Sequence, residues 1–475
     1  MTDYPLPLPS ESTKGRDGQE AAVRLINGYT EQMGADQDGK AVYTLYAQPG
    51  LTRWDTGNFS GVDRGSLVLD NNTLIYLLGH QLVGFDASGT PTIYGAIPGD
   101  DQVSMARNRN GTPQVGIVLS TNKLYYVLQG GVLTQPVEAN LPAPTSIAYL
   151  KGNFFYGIAD GRIFASPQEQ ATGINALAFA SANADAGGIV RILAHVGYLY
   201  IFGPRSMEIW QYTGDTPFPL APVQQYIALG LLAPASLAET DRGLLWVDHK
   251  GFVRFGRDGG AQRVSTHSVE RDIGKLSNYD KSKLIGSICT FEGHECYVLN
   301  APSQWTWMYD INMQRWFERK SYGRDRWIAS TFTWFNSEYI CGSIVDGKLY
   351  ALDMTNFTED NQEYVLEIWC KNAHNFPNGG LIDAINVDIV SGIGNPTGAY
   401  ADVEPMLIID FSSDGGKTFV GERLNSLGAI GDYRKLIQSG GWGRINEKGR
   451  VWRFRASAAV LRAIIQATLN GRKSV

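Results

Sequence analysis

Long apolar runs, clustered cysteines and helical periodicity are all missing from this 475-residue chain. No stretch of about eighteen apolar residues occurs, so no membrane-spanning helix is expected. The opening MTDYPLPLPSESTKGRDGQE has neither a basic n-region nor an apolar h-region, which argues against a signal peptide and for folding in a cytoplasm. There are only four cysteines, Cys289, Cys296, Cys341 and Cys370. None has Cys-x-x-Cys spacing and each lies in a hydrophobic, strand-like stretch, so buried thiols are expected rather than a metal or redox site. Cys289 and Cys296 are spaced to face each other across a hairpin, where a disulfide would need an oxidising compartment.

Catalytic signatures are missing as well. The six histidines, His80, His195, His249, His267, His294 and His374, are isolated, and neither H-E-x-x-H, G-x-S-x-G nor a P-loop occurs. The glycine runs GVDRG, DAGGI and QSGGWG do not sit between a strand and a helix, as a phosphate cradle requires. No catalytic residue, cofactor site or metal site is assigned.

What the chain does contain is turn formers and aromatics: 54 Gly, 20 Pro, 11 Trp, 23 Tyr and 19 Phe, with only 19% charged residues. That mix reads as all-β. A turn followed by alternating apolar residues recurs in NNTLIYLLG, TNKLYYVLQGG, ADGRIFASP, VGYLYIFG, HKGFVRFGRDGG, EGHECYVLN and VDGKLYALD. With Lys123, Gly161, Gly197, Gly251, Gly293 and Gly347 as markers, the spacings are 38, 36, 54, 42 and 54 residues. This range fits four-stranded propeller blades loosened by insertions, and predicts a β-propeller of six or seven irregular blades over residues 40–358. The competing reading is a set of irregular β-meanders or a pair of sandwiches. Residues 1–39 read as an N-terminal arm. Beyond TNFTEDNQ the strands lengthen, and a β-sandwich-like C-terminal domain is expected over 359–475, unless its last strand returns to close the propeller.

Within that last region FSSDGGKTF fits an Asp-box, with Ser412, Asp414, Gly416, Thr418 and Phe419 in its motif positions. Such turns recur in sialidases, but their mechanics are structural: the aspartate caps backbone N–H groups and the aromatic packs beneath the hairpin. A glycosidase would further need paired carboxylates flanking a cleft, or an arginine cluster with a tyrosine nucleophile. The box is therefore expected to brace a hairpin.

Charge is unevenly shared. From Lys417 onward twelve basic residues face three acidic ones, a net of +9, which leaves −15 on the other 416 residues of a chain whose net charge is −6. Such asymmetry suits docking on an acidic partner or nucleic acid, and equally a solvated strand face. Alternation along GRVWRFRAS puts Arg453 and Arg455 on one side and Arg450, Trp452 and Phe454 on the other. The interleaved aromatics read as core rather than as a nucleic-acid stacking platform. Arg444, Arg450, Arg453, Arg455 and Arg462 are the candidate contacts to a neighbouring ring.

Ordered fragments across about 270 residues carry a resemblance. RLINGYTEQ, with Asn27, Tyr29 and Glu31, is followed by LYAQPGLTRW, with Pro49, Gly50 and Leu51, then DRG and VSMA. YLYIFGPRSMEIWQYTGDTPFPL, ALGLLAPASLA and RVSTHSVE continue the series. The chain resembles the tail-hub proteins of short-tailed bacteriophages, also called packaged-DNA stabilisation or nozzle proteins. The likeness thins beyond about residue 280 and transfers no chemical role to any residue. Glu208 alone invites a role, as a ring-interface or lumen charge or an edge-strand solubility charge.

The resemblance implies a virion protein of the tail, assembled in the host cytoplasm as a ring of six copies beneath the portal and its adaptor. It implies partners: the adaptor ring, a tail needle, fibres or spikes, and passing genomic double-stranded DNA held without sequence specificity. An acidic wall would avoid gripping a dense polyanion that must be released. Two other readings stand beside it: a glycan- or receptor-binding propeller, with or without glycoside hydrolase activity, and a generic propeller scaffold for host proteins.

Overall fold

The computed structural model describes residues 2–16, 23–35, 41–182, 187–257, 260–370, 379–447 and 449–473. Seven four-stranded antiparallel units follow one another and close a ring, so the chain is a seven-bladed β-propeller with a β-sandwich attached. Blades 1 to 6 cover residues 63–96, 104–134, 144–181, 191–227, 238–263 and 285–319. Blade 7 takes three strands from 329–353 and its outermost strand from Gly50–Arg53. Leu51 pairs with Leu352 and Arg53 with Tyr350, so a segment near the N-terminus closes the ring, not the last strand of the chain.

The local rules behind the blades are those of hairpins. Gly197 and Gly293 stand at hairpin tips with φ of +82° and +79°, and a Cβ on either would meet open space. Backbone handedness, not crowding, selects glycine there. Between blades the apolar faces stack in separate layers: Ile75, Leu77, Val115 and Ile117 pack blade 1 on blade 2, and Phe155, Ile163, Ile201 and Trp210 pack blade 3 on blade 4. Each blade thus needs its neighbours, the physical basis of the ring. Two short helices, His267–Lys275 and Asn278–Ser282, join blade 5 to blade 6.

The sandwich draws on both ends of the chain. One sheet runs Gly28–Ala35, Ala41–Ala47, Ala463–Lys473, Gly380–Ile389 and Leu436–Ile445, with Thr2–Pro5 added along Ala463–Lys473. The other continues blade 6: Arg315–Arg319 pairs in parallel with Arg24–Ile26, followed by Leu366–Trp369, Val451–Ala456, Met406–Ser412 and Val420–Ser426. The segment read as an arm, residues 1–39, therefore supplies three strands to these sheets, and Ala41–Ala47, read as the start of the propeller, belongs to the sandwich as well. Asn27 is central to this knitting. At φ +60° its side chain donates to Val365 O (2.8 Å) and accepts from Lys320 N–H (2.8 Å).

The sandwich core of Ile385, Ile409, Trp452 and Phe454 merges with the layer between blades 6 and 7. That merged layer holds all four cysteines as free, buried thiols, with Cys289 directly opposite Cys296 in the hairpin register. Burial pushes the Cys289 thiol up to about 12, so it is an inert apolar group rather than a nucleophile.

Candidate functional site

Around the propeller axis every blade is tied to the next by a polar link in or beside its inner strands. Gln102 Nε2 donates to Asp63 O (2.8 Å) between blades 1 and 2. Ser104 Oγ donates to Ile147 O (3.2 Å) and accepts from Ile147 N (3.1 Å) between blades 2 and 3. Ser146 Oγ accepts from Ile192 N (3.0 Å) between blades 3 and 4. Blades 4 and 5 are joined by Arg191 Nη1 donating to Pro234 O and by His195 Nδ1, 2.7 Å from Glu239 Oε1. Tyr297 donates to Ser236 O (2.7 Å) from blade 6, and Ser287 to Ser330 O (3.3 Å) in blade 7. The ring closes where Thr331 donates both N–H (3.0 Å) and hydroxyl (2.5 Å) to Asp63 Oδ2. Burial pushes the Asp63 carboxyl up, against the downward pull of its Thr331 and Gly65 donors.

Two cavities flank this girdle. Where the inner strands begin, a mouth of about 460 Å³ is lined by Asp63, Asp101, Arg191, Lys283, Arg326 and Ser330. Where they end, a mouth of about 670 Å³ gathers Glu239, Asp241, Arg242, Glu295, Trp334 and Tyr339 from three blades. Gln102, Val103, Arg191, Ala235 and Ile285 line both. In the second mouth burial pushes the Glu295 carboxyl up, with Arg242 opposing and Asp241 assisting. Sequence spacing did not group these residues, because they come from three blades spread over about a hundred residues of chain. The girdle did leave a trace: a Ser or Thr early in five of the seven inner-strand runs, in DRGS, VSMA, PTSIA, GSIC and AST.

The Asp-box joins Met406–Ser412 to Val420–Ser426. Asp414 Oδ1 accepts from the N–H groups of Lys417 and Thr418 (both 2.9 Å), and Ser412 Oγ accepts from Gly416 N (2.8 Å). Hydrogen bonds from Ser412 and Thr418 hold the Asp414 carboxyl well below the usual carboxylate range. Gly416 has φ +98°, and a Cβ there would lie 2.6 Å from the Trp369 ring. Phe419 meets Trp369 edge-on at 4.8 Å with the Arg453 guanidinium 3.8 Å from its centroid. The Ser412, Asp414 and Thr418 side chains are all spent on holding the turn.

The arginine segment is mostly turned inward. Arg450 is buried, donates to Trp442 O and Arg444 O, and stacks 3.7 Å from the Phe411 centroid. Arg462, 1% exposed, donates to Tyr364 O (2.9 Å). These two were expected at a ring contact; lacking surface to offer, they brace the interior instead. Arg453 and Arg455 do share a face, where both bind Asp410, with Glu422 as a second partner of Arg455. Arg444 alone of the five is exposed. Glu208 lies on a strand paired on both sides and accepts from Trp210 Nε1 (2.9 Å), so it is not an edge-strand charge.

Among the described residues no group of three or more His, Cys, Asp and Glu is placed to hold a metal. His294 is spent on Asp310 (2.5 Å), and Asp310 on the Asn312 and Met313 N–H groups.

Comparison with known proteins gives one family: the sequence model described as Bacteriophage P22 Gp10, beta-propeller, matches residues 32–357. No curated protein matches the chain. Among solved structures, a streptogramin B lyase is similar at 10% identity and TM-score 0.45, covering 65% of this chain and 98% of its own. A virginiamycin B lyase from Staphylococcus aureus is similar at 12% identity and TM-score 0.43, covering 65% and 99%. The computationally designed Ika8 protein follows at 11% and 0.37, covering 73% and 100%.

Proposed function

The chain belongs to the family of bacteriophage P22 Gp10, and from that membership we propose that it is a non-enzymatic structural subunit of a short phage tail. In this reading six copies form a ring below the portal and its adaptor, narrow or close the DNA exit channel, retain the packaged genome and dock the needle, fibres or spikes. The observation that carries it is the family match, which spans nearly the whole propeller.

Physical arguments support the same reading. The axial cavities, about 460 and 670 Å³, are of small-ligand size. A duplex would therefore run along the axis of the ring, between subunits, and not through any one propeller. A net −15 outside the C-terminal segment keeps such a wall from gripping the phosphates. Exposed Arg444, with Lys417 and Arg434, remains available for an acidic neighbouring ring.

Gold-antibody labelling of purified virions, scored by electron microscopy, tests the proposal. Label confined to the tail axis below the head is expected; label on peripheral fibres, or none on the virion, would sink it. One feature favours a second reading, glycan binding: Trp334, 58% exposed, stands beside Tyr339 in the mouth that also gathers three carboxylates. A glycan array that stays blank disposes of that reading.

A further inference from the structure

We propose that the mouth where the inner strands begin is an oxyanion site, in which Arg326 and Arg191 bind a phosphate or carboxylate group supplied from outside the chain. Arg326 is 5% exposed, and its bonds run only to carbonyls: Nε to Trp327 O (3.2 Å) and Nη1 to Ala301 O (3.4 Å). Its Nη2 is sealed from solvent with no partner among the described residues. The same holds for Arg191 Nε, and both arginines line the one cavity. A buried guanidinium without a counter-charge is costly, and structures that keep one usually supply an anion.

The mouth's own carboxylates do not supply it. Asp101 pairs with Lys283 and accepts from Thr121. Asp63 is occupied by Thr331 and Gly65. Asp100 has its side chain 92% exposed at the rim. Burial drags the Arg326 guanidinium down to about 10, and does the same to Arg191 against the pull of Glu239. Arg462 makes a useful contrast. Its Nε and Nη2 are also unpartnered, but its guanidinium is stacked on Tyr364 and borders none of the described cavities. Arg326 and Arg191, by contrast, line an open mouth, and 460 Å³ admits a carboxylate or phosphate borne on a larger molecule.

Equilibrium dialysis of the full chain against radiolabelled inorganic phosphate, at constant ionic strength set by chloride, tests this. One saturable site per chain is expected, with a Kd of about 1 mM or tighter. Competition by acetate would identify a carboxylate as the natural group; its failure would leave phosphate. Arg326→Met keeps the volume and removes the charge, and should abolish both the site and the phosphate-dependent rise in Tm; Arg191→Met should weaken it at least tenfold. Arg444→Met, on the exposed surface, should bind as wild type. The proposal is overturned if wild-type chain shows no saturable binding of either anion, whatever the variants do, or if Arg326→Met binds undiminished.

Discussion

Arg319 and Glu359 form an ion pair shut off from solvent, with Nη2 2.7 Å from Oε1, where blade 6 meets the strand that follows the propeller. Trp327 Nε1 donates to the same Glu359 oxygen at 2.8 Å. The Arg319 guanidinium lies 4.4 Å from the Tyr364 ring centroid, and Arg462 lies 4.5 Å from the same centroid. One carboxylate thus serves a junction holding two buried cations. Glu359→Ala should cost about 3–5 kcal/mol, because it strands Arg319 without a counter-charge. The double variant Arg319→Met, Glu359→Leu should lose far less. Urea unfolding curves of the three chains check the ordering, and equal losses would refute it.

Acid should loosen the N-terminal anchor before the rest. Burial pushes the Glu318 carboxyl up, but Arg24 and Lys14 outweigh it and hold it at about 2, below its ordinary 4.5. A depressed pKa stabilises the fold above the unfolded value, and that contribution is lost as pH falls from 4.5 toward 2. Over this window amide exchange should rise at Leu25 and Ile26, which pair with Leu366–Trp369 beside the Arg24 bridge. Glu318→Gln should show raised exchange already at neutral pH and little further pH dependence.

Closure of the ring depends on a glycine. A Cβ at Gly50 would fall 2.1 Å from Thr358 O, a backbone atom that cannot swing away. Gly50→Ala should therefore displace Gly50–Arg53 from Leu349–Asp353 and expose the edge of blade 7. Limited proteolysis should cut near residue 50 in the variant and not in wild type; matched digestion patterns would show that the strand tolerates the side chain.

The polar girdle should behave as separate links. Ser104→Ala and Ser146→Ala each remove a hydroxyl, half-buried at Ser104 and buried at Ser146, that satisfies a backbone N–H of the next blade. Each should cost about 1–3 kcal/mol. The two serines touch no common partner, so the double variant should lose the sum within about 0.5 kcal/mol. A strongly non-additive cycle would mean that the inner strands shift together.

Several features were legible in the residues alone because they rest on local rules. Period-two alternation and the glycine tips announce the hairpins, and repeat spacing announces blades. Ser412, Asp414 and Thr418 close their turn within seven residues, so their geometry follows from their order. Gly50 stands in the Pro-Gly-Leu fragment, and the clash of a Cβ with Thr358 O explains why that fragment holds a glycine.

What lay beyond the sequence is whatever depends on pairing across long separations. Alternation states that Arg453 and Arg455 share a face; only the fold brings Asp410 against both. It states that Arg462 follows an apolar run, but not that Tyr364, nearly a hundred residues earlier, covers it. Strand order is likewise undetermined by strand pattern. Hydrogen-bonding edges are interchangeable in chemistry, and burial of Leu51 against the ring, not its composition, made Gly50–Arg53 the closing strand while Ala463–Lys473 went to the sandwich. The sequence by itself determined that this chain builds β-blades and keeps its thiols buried. The tertiary structure decided which end seals the ring, which arginines retain a surface, and where two of them line one cavity, each with a donor left unpartnered.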